Sequence, residues 1–287
     1  MGQQKRSFAA RVLGESLKGK EGLEARVAKI RAEHAAVAQA YEKVLEDMGY
    51  SKDYILPRIY CKDCNDTGYF QGKMCHCLKK KAIKEGYRAS GIAKLLEKQN
   101  FDNFDLRFYS DTPTAPGKES PRQIMEEIYN FCRNYAENFS LDSPSLLFIG
   151  GTGLGKTHLS SAIAGAIIER AYDVVYESAP SVAAIFEKER FESDDSALGT
   201  RRLMEAELLI LDDLGTEPSS KTSSSAIYRL INHRVLVSGL PTIISTNLSY
   251  RQLEKEYDSA VLSRLLGEFN VKFFRGEDIR MAKLRME

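Results

Sequence analysis

The sequence predicts an α/β fold: a parallel sheet covered by helices on both faces, preceded by a small helical, cysteine-rich module. Three observations carry this. From about residue 121, short apolar runs alternate with helical segments: SLLFIG (145–150), VVYESA (174–179), LLILDD (208–213), TIISTN (242–247) and VKFF (271–274). Strands separated by crossover helices pair in parallel and are buried on both sides. GGTGLGKT (150–157) stands between the first of these runs and a helix. YCKDCNDTGYFQGKMCHCLKKK (60–81) gathers four of the chain's five cysteines within 17 residues.

Bulk composition narrows the class. The chain has 287 residues, 43% hydrophobic and 28% charged, with a formal net charge of +1. That is ordinary for a soluble globular protein and does not announce a nucleic-acid binder. Charge is uneven locally. Residues 79–98 carry seven Lys/Arg against two Glu, and residues 185–217 carry ten Asp/Glu against four Lys/Arg. A basic strip can meet phosphate, although a solvated helix face explains it as well. There is no run of 18 apolar residues, and MGQQKRSFAARVLGES lacks the apolar core of a signal peptide. The expected location is cytoplasmic, with no membrane contact and with reduced thiols.

The elements follow in order. Residues 1–56 form a helical segment suited to pair with another helix or to pack on a domain. Within it, Leu23, Val27, Ile30, His34, Val37, Tyr41, Val44 and Met48 recur in alternating steps of four and three, the spacing of a helix seam. Gly19 and Gly22 separate this helix from a basic leader, and Gly49 and Pro57 mark its end. Residues 57–82 form the cysteine module. Cys61-x-x-Cys64 and Cys75-x-Cys77 are two tight pairs ten residues apart, with Gly68 and Gly72 suited to a hairpin between them. In a reducing compartment, thiolates at these spacings close a tetrahedral structural Zn²⁺ shell. His76 is able to replace Cys75 or Cys77 as a ligand. Residues 83–120 hold the rest of a basic helix (about 78–98) and then a linker or collar, NFDNFDLRFYSDTPTAPGKE (100–119). Residues 121–287 form the α/β domain, with further helices at 121–138, 156–170 and 222–237. Cys132, among apolar helix residues, reads as a buried thiol.

The candidate site sits at the C-terminal edge of the strands, where ligands bind in such sheets. Gly150, Gly151, Thr152, Gly153, Leu154, Gly155, Lys156, Thr157 and His158 form a glycine-rich loop and helix start. Its N–H groups and helix dipole suit phosphate oxygens. Lys156 supplies charge to the β- and γ-phosphates, and the Thr157 hydroxyl helps hold Mg²⁺. Asp212 emerges from LLILDD as the Mg²⁺-linked carboxylate, with Asp213 placed to polarise an attacking water. Asp213 alone would also suit a helix-capping turn. Thr246 and Asn247 end the next strand, and Asn247 is positioned to orient that water. Arg264, in an otherwise apolar helix, suits an arginine finger for a neighbour's γ-phosphate, and on residue type alone also a surface salt bridge. Arg280 is a second candidate of that kind.

GGTGLGKT, LLILDDLG, STN and SRLLGEF…FFRGEDIR together resemble the AAA+ ATPases of the DnaC/DnaI helicase-loader group, which includes the IstB-like transposition ATPases. The cysteine cluster and NFDNFDLRFYSD look like the zinc-bearing front part of DnaI-like members from Firmicutes and their mobile elements. The resemblance covers about residues 52–287. It implies a five-stranded sheet of order 5-1-4-3-2, binding of ATP and Mg²⁺, ATP hydrolysis and contact with single-stranded DNA. It also implies an ATP-dependent homo-oligomer in which Arg264 reaches the neighbouring nucleotide, with Arg280 as the sensor-II arginine. The implied partner is the replicative hexameric DNA helicase, gripped by the front module. With only 138 residues from Gly150 onward, no full helical lid is expected. An IstB-like transposition regulator and a non-hydrolysing ATP-gated adaptor are the alternative readings.

Overall fold

Each apolar run in the second half of the chain becomes a strand, because four or five consecutive apolar residues can be buried only where both faces are covered. The computed structural model describes residues 20–51, 54, 59–89, 92–191 and 198–284. The chain divides into two compact units, Met1–Lys62 and Asp63–Glu287.

In the first unit, α1 spans Lys20–Asp47. Gly49, at φ +77°, lets the chain turn out of it, and the Tyr50 N–H closes back on the Leu45 carbonyl at 2.9 Å. Gly22 lies inside the helix rather than before it. Ile30, Val37, Val44 and Met48 of the expected seam are each more than half exposed. The basic leader, Gly19, Pro57 and the side chains of Leu23 and Val27 lie outside the described residues.

The second unit opens with a small hairpin, β1 (Tyr69–Phe70) antiparallel to β2 (Lys73–Met74). The basic stretch is two helices rather than one, α2 (His76–Ala89) and α3 (Ala93–Lys98). Ala-Ser-Gly at 89–91 brings two weak helix formers to the junction. Part of its charge is used internally: Lys79 pairs with Glu207 at 3.0 Å and Lys84 with Glu169 at 2.6 Å. The collar holds two short 3₁₀ turns, Phe101–Asn103 and Leu106–Phe108. Then α4 (Pro121–Glu137) starts at a full capping box. Ser120 Oγ accepts from the Gln123 N–H at 3.2 Å, and Gln123 Oε1 accepts from the Ser120 N–H at 2.8 Å.

Five parallel strands follow: β3 (Ser145–Ile149), β4 (Val174–Ser178), β5 (Leu208–Leu214), β6 (Thr242–Thr246) and β7 (Phe269–Phe273). Their order is β4-β5-β6-β3-β7, which counted from β3 is 5-1-4-3-2. The last strand starts two residues earlier than VKFF suggests. Successive residues face opposite layers. Leu146 and Phe148 join one core with α4 and α5 (Lys156–Glu169), while Leu147 and Ile149 join the other. That second core takes residues from α6 (Ala179–Phe191), α7 (Leu198–Glu205), α8 (Lys221–Asn232), α9 (Tyr250–Glu256) and α10 (Ser259–Gly267). Cys132 is fully buried in the first core, and burial pushes its thiol far up.

The helix expected at 222–237 is α-helical only to Asn232 and continues as a π-turn over His233–Ser238. This widening delivers Arg234 into the interior, where it is wholly buried. Its guanidinium donates to the carbonyls of Leu203 (3.1 Å), Met204 (3.2 Å), Ala206 (3.0 Å) and Pro241 (2.6 Å), and to Thr242 Oγ1 (2.7 Å). Burial lowers its pKa to about 10, so it stays cationic at neutral pH. One side chain therefore ties the end of α7 to the start of β6.

Candidate nucleotide-binding site

The loop between β3 and α5 begins where the strand runs out of sheet. At Gly155 φ is +90°, and a Cβ there would stand 2.8 Å from Tyr109 Oη and 2.9 Å from Phe104 Cε2. At Gly153 φ is +73°, and a Cβ would strike the Asp278 carboxylate at 1.9 Å. Both positions need glycine for conformation and for room. Thr152, Gly153, Leu154, Gly155, Lys156, Thr157 and His158 line a cavity of about 310 Å³ together with Gln99, Asp213, Asn247, Ile279 and Arg280. Residues 152–158 of the sequence-predicted loop thus share one space with Asp213, Asn247 and Arg280, while Gly150 and Gly151 line a different pocket.

Lys156 is almost completely buried at the start of α5. Its ammonium donates to the carbonyls of Gly150 and Gly151 and to Asn247 Oδ1, each at 2.7 Å. Burial lowers its pKa, while the charges of Asp213 and Asp212 oppose that shift. Asp213 is shifted the other way. Burial raises its pKa first, the neighbouring Asp212 charge adds to this, and Lys156 offsets part of it. Its backbone is left-handed, at φ +57°, an arrangement Asp tolerates better than most residues. The Asn247 amide donates to Asp213 Oδ1 at 3.3 Å. Asn247 therefore bridges the lysine and the second carboxylate.

Asp212 is buried at the end of β5 and held from three sides. Tyr176 Oη donates to Oδ2 at 2.8 Å, Ser245 Oγ donates to Oδ1, and Thr157 Oγ1 approaches Oδ1 at 3.4 Å. The first two partners were not anticipated from sequence. Ser245 stands inside TIISTN, where its neighbours draw the attention. Tyr176 is one aromatic in an ordinary buried strand and carries no local signal. Burial, then the charge of Asp212, raises the Tyr176 pKa, so it remains a donor.

The collar is part of the site. Tyr109 Oη donates to the Leu154 carbonyl at 2.9 Å, and the Phe104 ring meets His158 edge-on at 5.1 Å. His158 Nε2 bonds the Asn100 carbonyl at 2.9 Å. His158 is accordingly fixed by the collar. Arg264 is half-buried in the last turn of α10 and does not line the cavity.

In the cysteine module, the sulfurs of Cys61, Cys64, Cys75 and Cys77 all lie within 4.8 Å of one another. Cys64 and Cys77 sulfurs are 3.4 Å apart. A tetrahedral zinc–thiolate shell requires sulfurs about 3.8 Å apart, so this donor set fits such an ion. His76 is exposed and faces Asp63 at 3.3 Å. Cys61, Asp63, Cys75 and His76 form an alternative grouping, with His76 Nδ1 3.6 Å from Cys75 Sγ.

A five-stranded parallel sheet of this order, with the glycine loop on β3 and the paired carboxylates on β5, defines a P-loop protein of the AAA+ class. The family model for the IstB-like ATP binding protein matches residues 78–285, and the chain belongs to that family. It is 27% identical over 187 residues to the replicative helicase loader DnaC of Escherichia coli strain K12, covering 64% of this chain and 69% of that one. It is 22% identical over 252 residues to the insertion sequence IS21 putative ATP-binding protein of Pseudomonas aeruginosa, covering 84% and 86%. The crystal structure of the DnaC helicase loader superposes with a TM-score of 0.52 at 21% identity, covering 63% of this chain and 99% of that one, a likeness of fold. Other relatives are matched over less of their length: 65% of YdaV from Escherichia coli and 32% of DnaA from Zymomonas mobilis. No helix among the described residues is long and apolar enough to cross a membrane.

Proposed function

We propose that the chain is a cytoplasmic, ATP-hydrolysing loader of the replicative hexameric DNA helicase onto single-stranded DNA. The observation that carries this is the convergence of Lys156, Thr157, Asp213 and Asn247 on one cavity, with Asp212 held beside Thr157, in a chain that also bears a cysteine module. In this reading, residues 150–158 bind the phosphates of ATP. Thr157 and Asp212 would hold Mg²⁺, which would supply charge neutralisation to the phosphates. Asp213 polarises the attacking water, and its raised pKa suits a base. Asn247 orients Asp213. Arg264, lying off its own cavity, acts on the nucleotide of a neighbouring copy in an ATP-dependent homo-oligomer, and Arg280 contacts the nucleotide in its own chain as sensor II.

Cys61, Cys64, Cys75 and Cys77 hold a structural zinc ion. The exposed apolar seam of α1 supports the assignment of residues 1–56 as the partner-binding segment, ahead of the zinc module (57–82), the helix and collar (83–120) and the ATPase domain (121–287). The named DnaC relative supports the loader reading. The test is a pull-down with the host replicative helicase, with and without ATP. An ATP-responsive complex that requires residues 1–82 supports it, and no complex under either condition sinks it. The longer match to the IS21 ATP-binding protein favours a second reading, a regulator of transposition. Selective capture of the transposase would establish that one instead.

A further inference from the structure

Gln99 ends α3, with its backbone N–H bonded to the Leu95 carbonyl at 2.9 Å. Its side chain lines the same cavity as Lys156, Thr157, Asp213 and Asn247. The side-chain Oε1 is buried and has no hydrogen-bond partner among the described residues. Buried acceptors without a donor are uncommon, and each asks for an explanation.

The chemistry of the cavity narrows what that donor is. A phosphate oxygen is itself an acceptor, so Oε1 cannot be there to meet the phosphate chain. The parts of a nucleotide that donate are the base and the ribose hydroxyls. Lys156, Asp213 and Asn247 mark the γ-phosphate end. Gln99 adjoins the collar, which touches the start of α5 at Gly155 and His158. Ile279, half-buried and tied through its N–H to the Gly153 carbonyl at 3.0 Å, gives the same cavity an apolar wall against which a flat ring can lie.

We infer that Gln99 is the residue that selects adenine. Its Oε1 accepts from the exocyclic 6-amino group, and its amide N–H donates to N7, which carries no proton in either adenine or a 6-oxo purine. A carboxamide is the side chain that matches this donor–acceptor pair. A 6-oxo purine presents two acceptors on this edge, so either orientation of the amide leaves Oε1 facing an acceptor. This inference rests on the nucleotide reading of the site.

The experiment is competition binding on the full chain with ATP and ITP, which differ at position 6 of the purine and in the protonation of N1. The wild type binds ATP more tightly than ITP by roughly 5- to 100-fold. Gln99→Ala and the nearly isosteric Gln99→Met lose that factor for ATP and leave ITP unchanged, bringing the ratio close to one. A ratio unchanged in both variants, or ATP and ITP weakening together, overturns the inference while leaving the phosphate site intact. A wild type that binds neither triphosphate removes the nucleotide reading and this inference with it.

Discussion

Replacing Arg234 with methionine tests how the start of β6 is anchored to the end of α7. Methionine fills much of the space of the aliphatic stem but brings no donor. The Pro241 carbonyl keeps the Leu209 N–H at 3.2 Å, and Thr242 Oγ1 keeps its own bond to Leu240. The carbonyls of Leu203, Met204 and Ala206, at the end of α7, lose the guanidinium. Leaving buried acceptors unmet costs about 1–3 kcal/mol each. Removing the cation also removes its desolvation cost, the same cost that lowers its pKa to about 10. The net loss is therefore about 3–5 kcal/mol, the lower part of what three such acceptors would cost. For a domain of this size that lowers Tm by roughly 6–20 °C. Urea unfolding followed by far-UV circular dichroism measures it, with Arg234→Lys falling between wild type and Arg234→Met. A loss below about 1 kcal/mol would refute the claim that this side chain anchors the sheet.

Asp213→Asn stabilises the fold and stops hydrolysis. The folded pKa of Asp213 is raised, so its ionised form costs stability above that pKa, and the cost vanishes below the ordinary carboxylate range. The gain in Tm is expected at neutral pH and absent in acid; a variant less stable than wild type at pH 7 counts against it. Arg264→Ala leaves ATP affinity within about twofold but lowers assembled-state hydrolysis about 10³-fold; full activity would make it an ordinary surface residue. Metal analysis of the purified chain finds about one zinc per chain, lost on Cys64→Ser. A metal-free sample with the hairpin still folded would end that assignment.

Local patterns carried much of this structure, and long-range partners did not. The strands were legible because runs such as LLIL leave no polar face to expose. The phosphate loop and the cysteine pairs were legible because their spacing is contained within a few residues. Arg234 was invisible, since its three partners at and just past the end of α7 lie 28 to 31 residues away and a π-turn has no reliable sequence mark. Tyr176 reaches Asp212 across 36 residues. The collar read as a linker because Pro, Gly and Thr signal turns, while its aromatics find their partners only in the assembled fold.

Tyr109 and Phe104 have a practical consequence for dissecting this chain. They come from before residue 121, yet they abut Gly155, and Tyr109 caps the Leu154 carbonyl. A fragment beginning at the capping box of α4 would keep every residue of the glycine loop and lose its outer wall. Its weak nucleotide affinity would then report a missing buttress rather than a defective loop. Fragments meant to isolate the nucleotide-binding domain should begin upstream of Gln99.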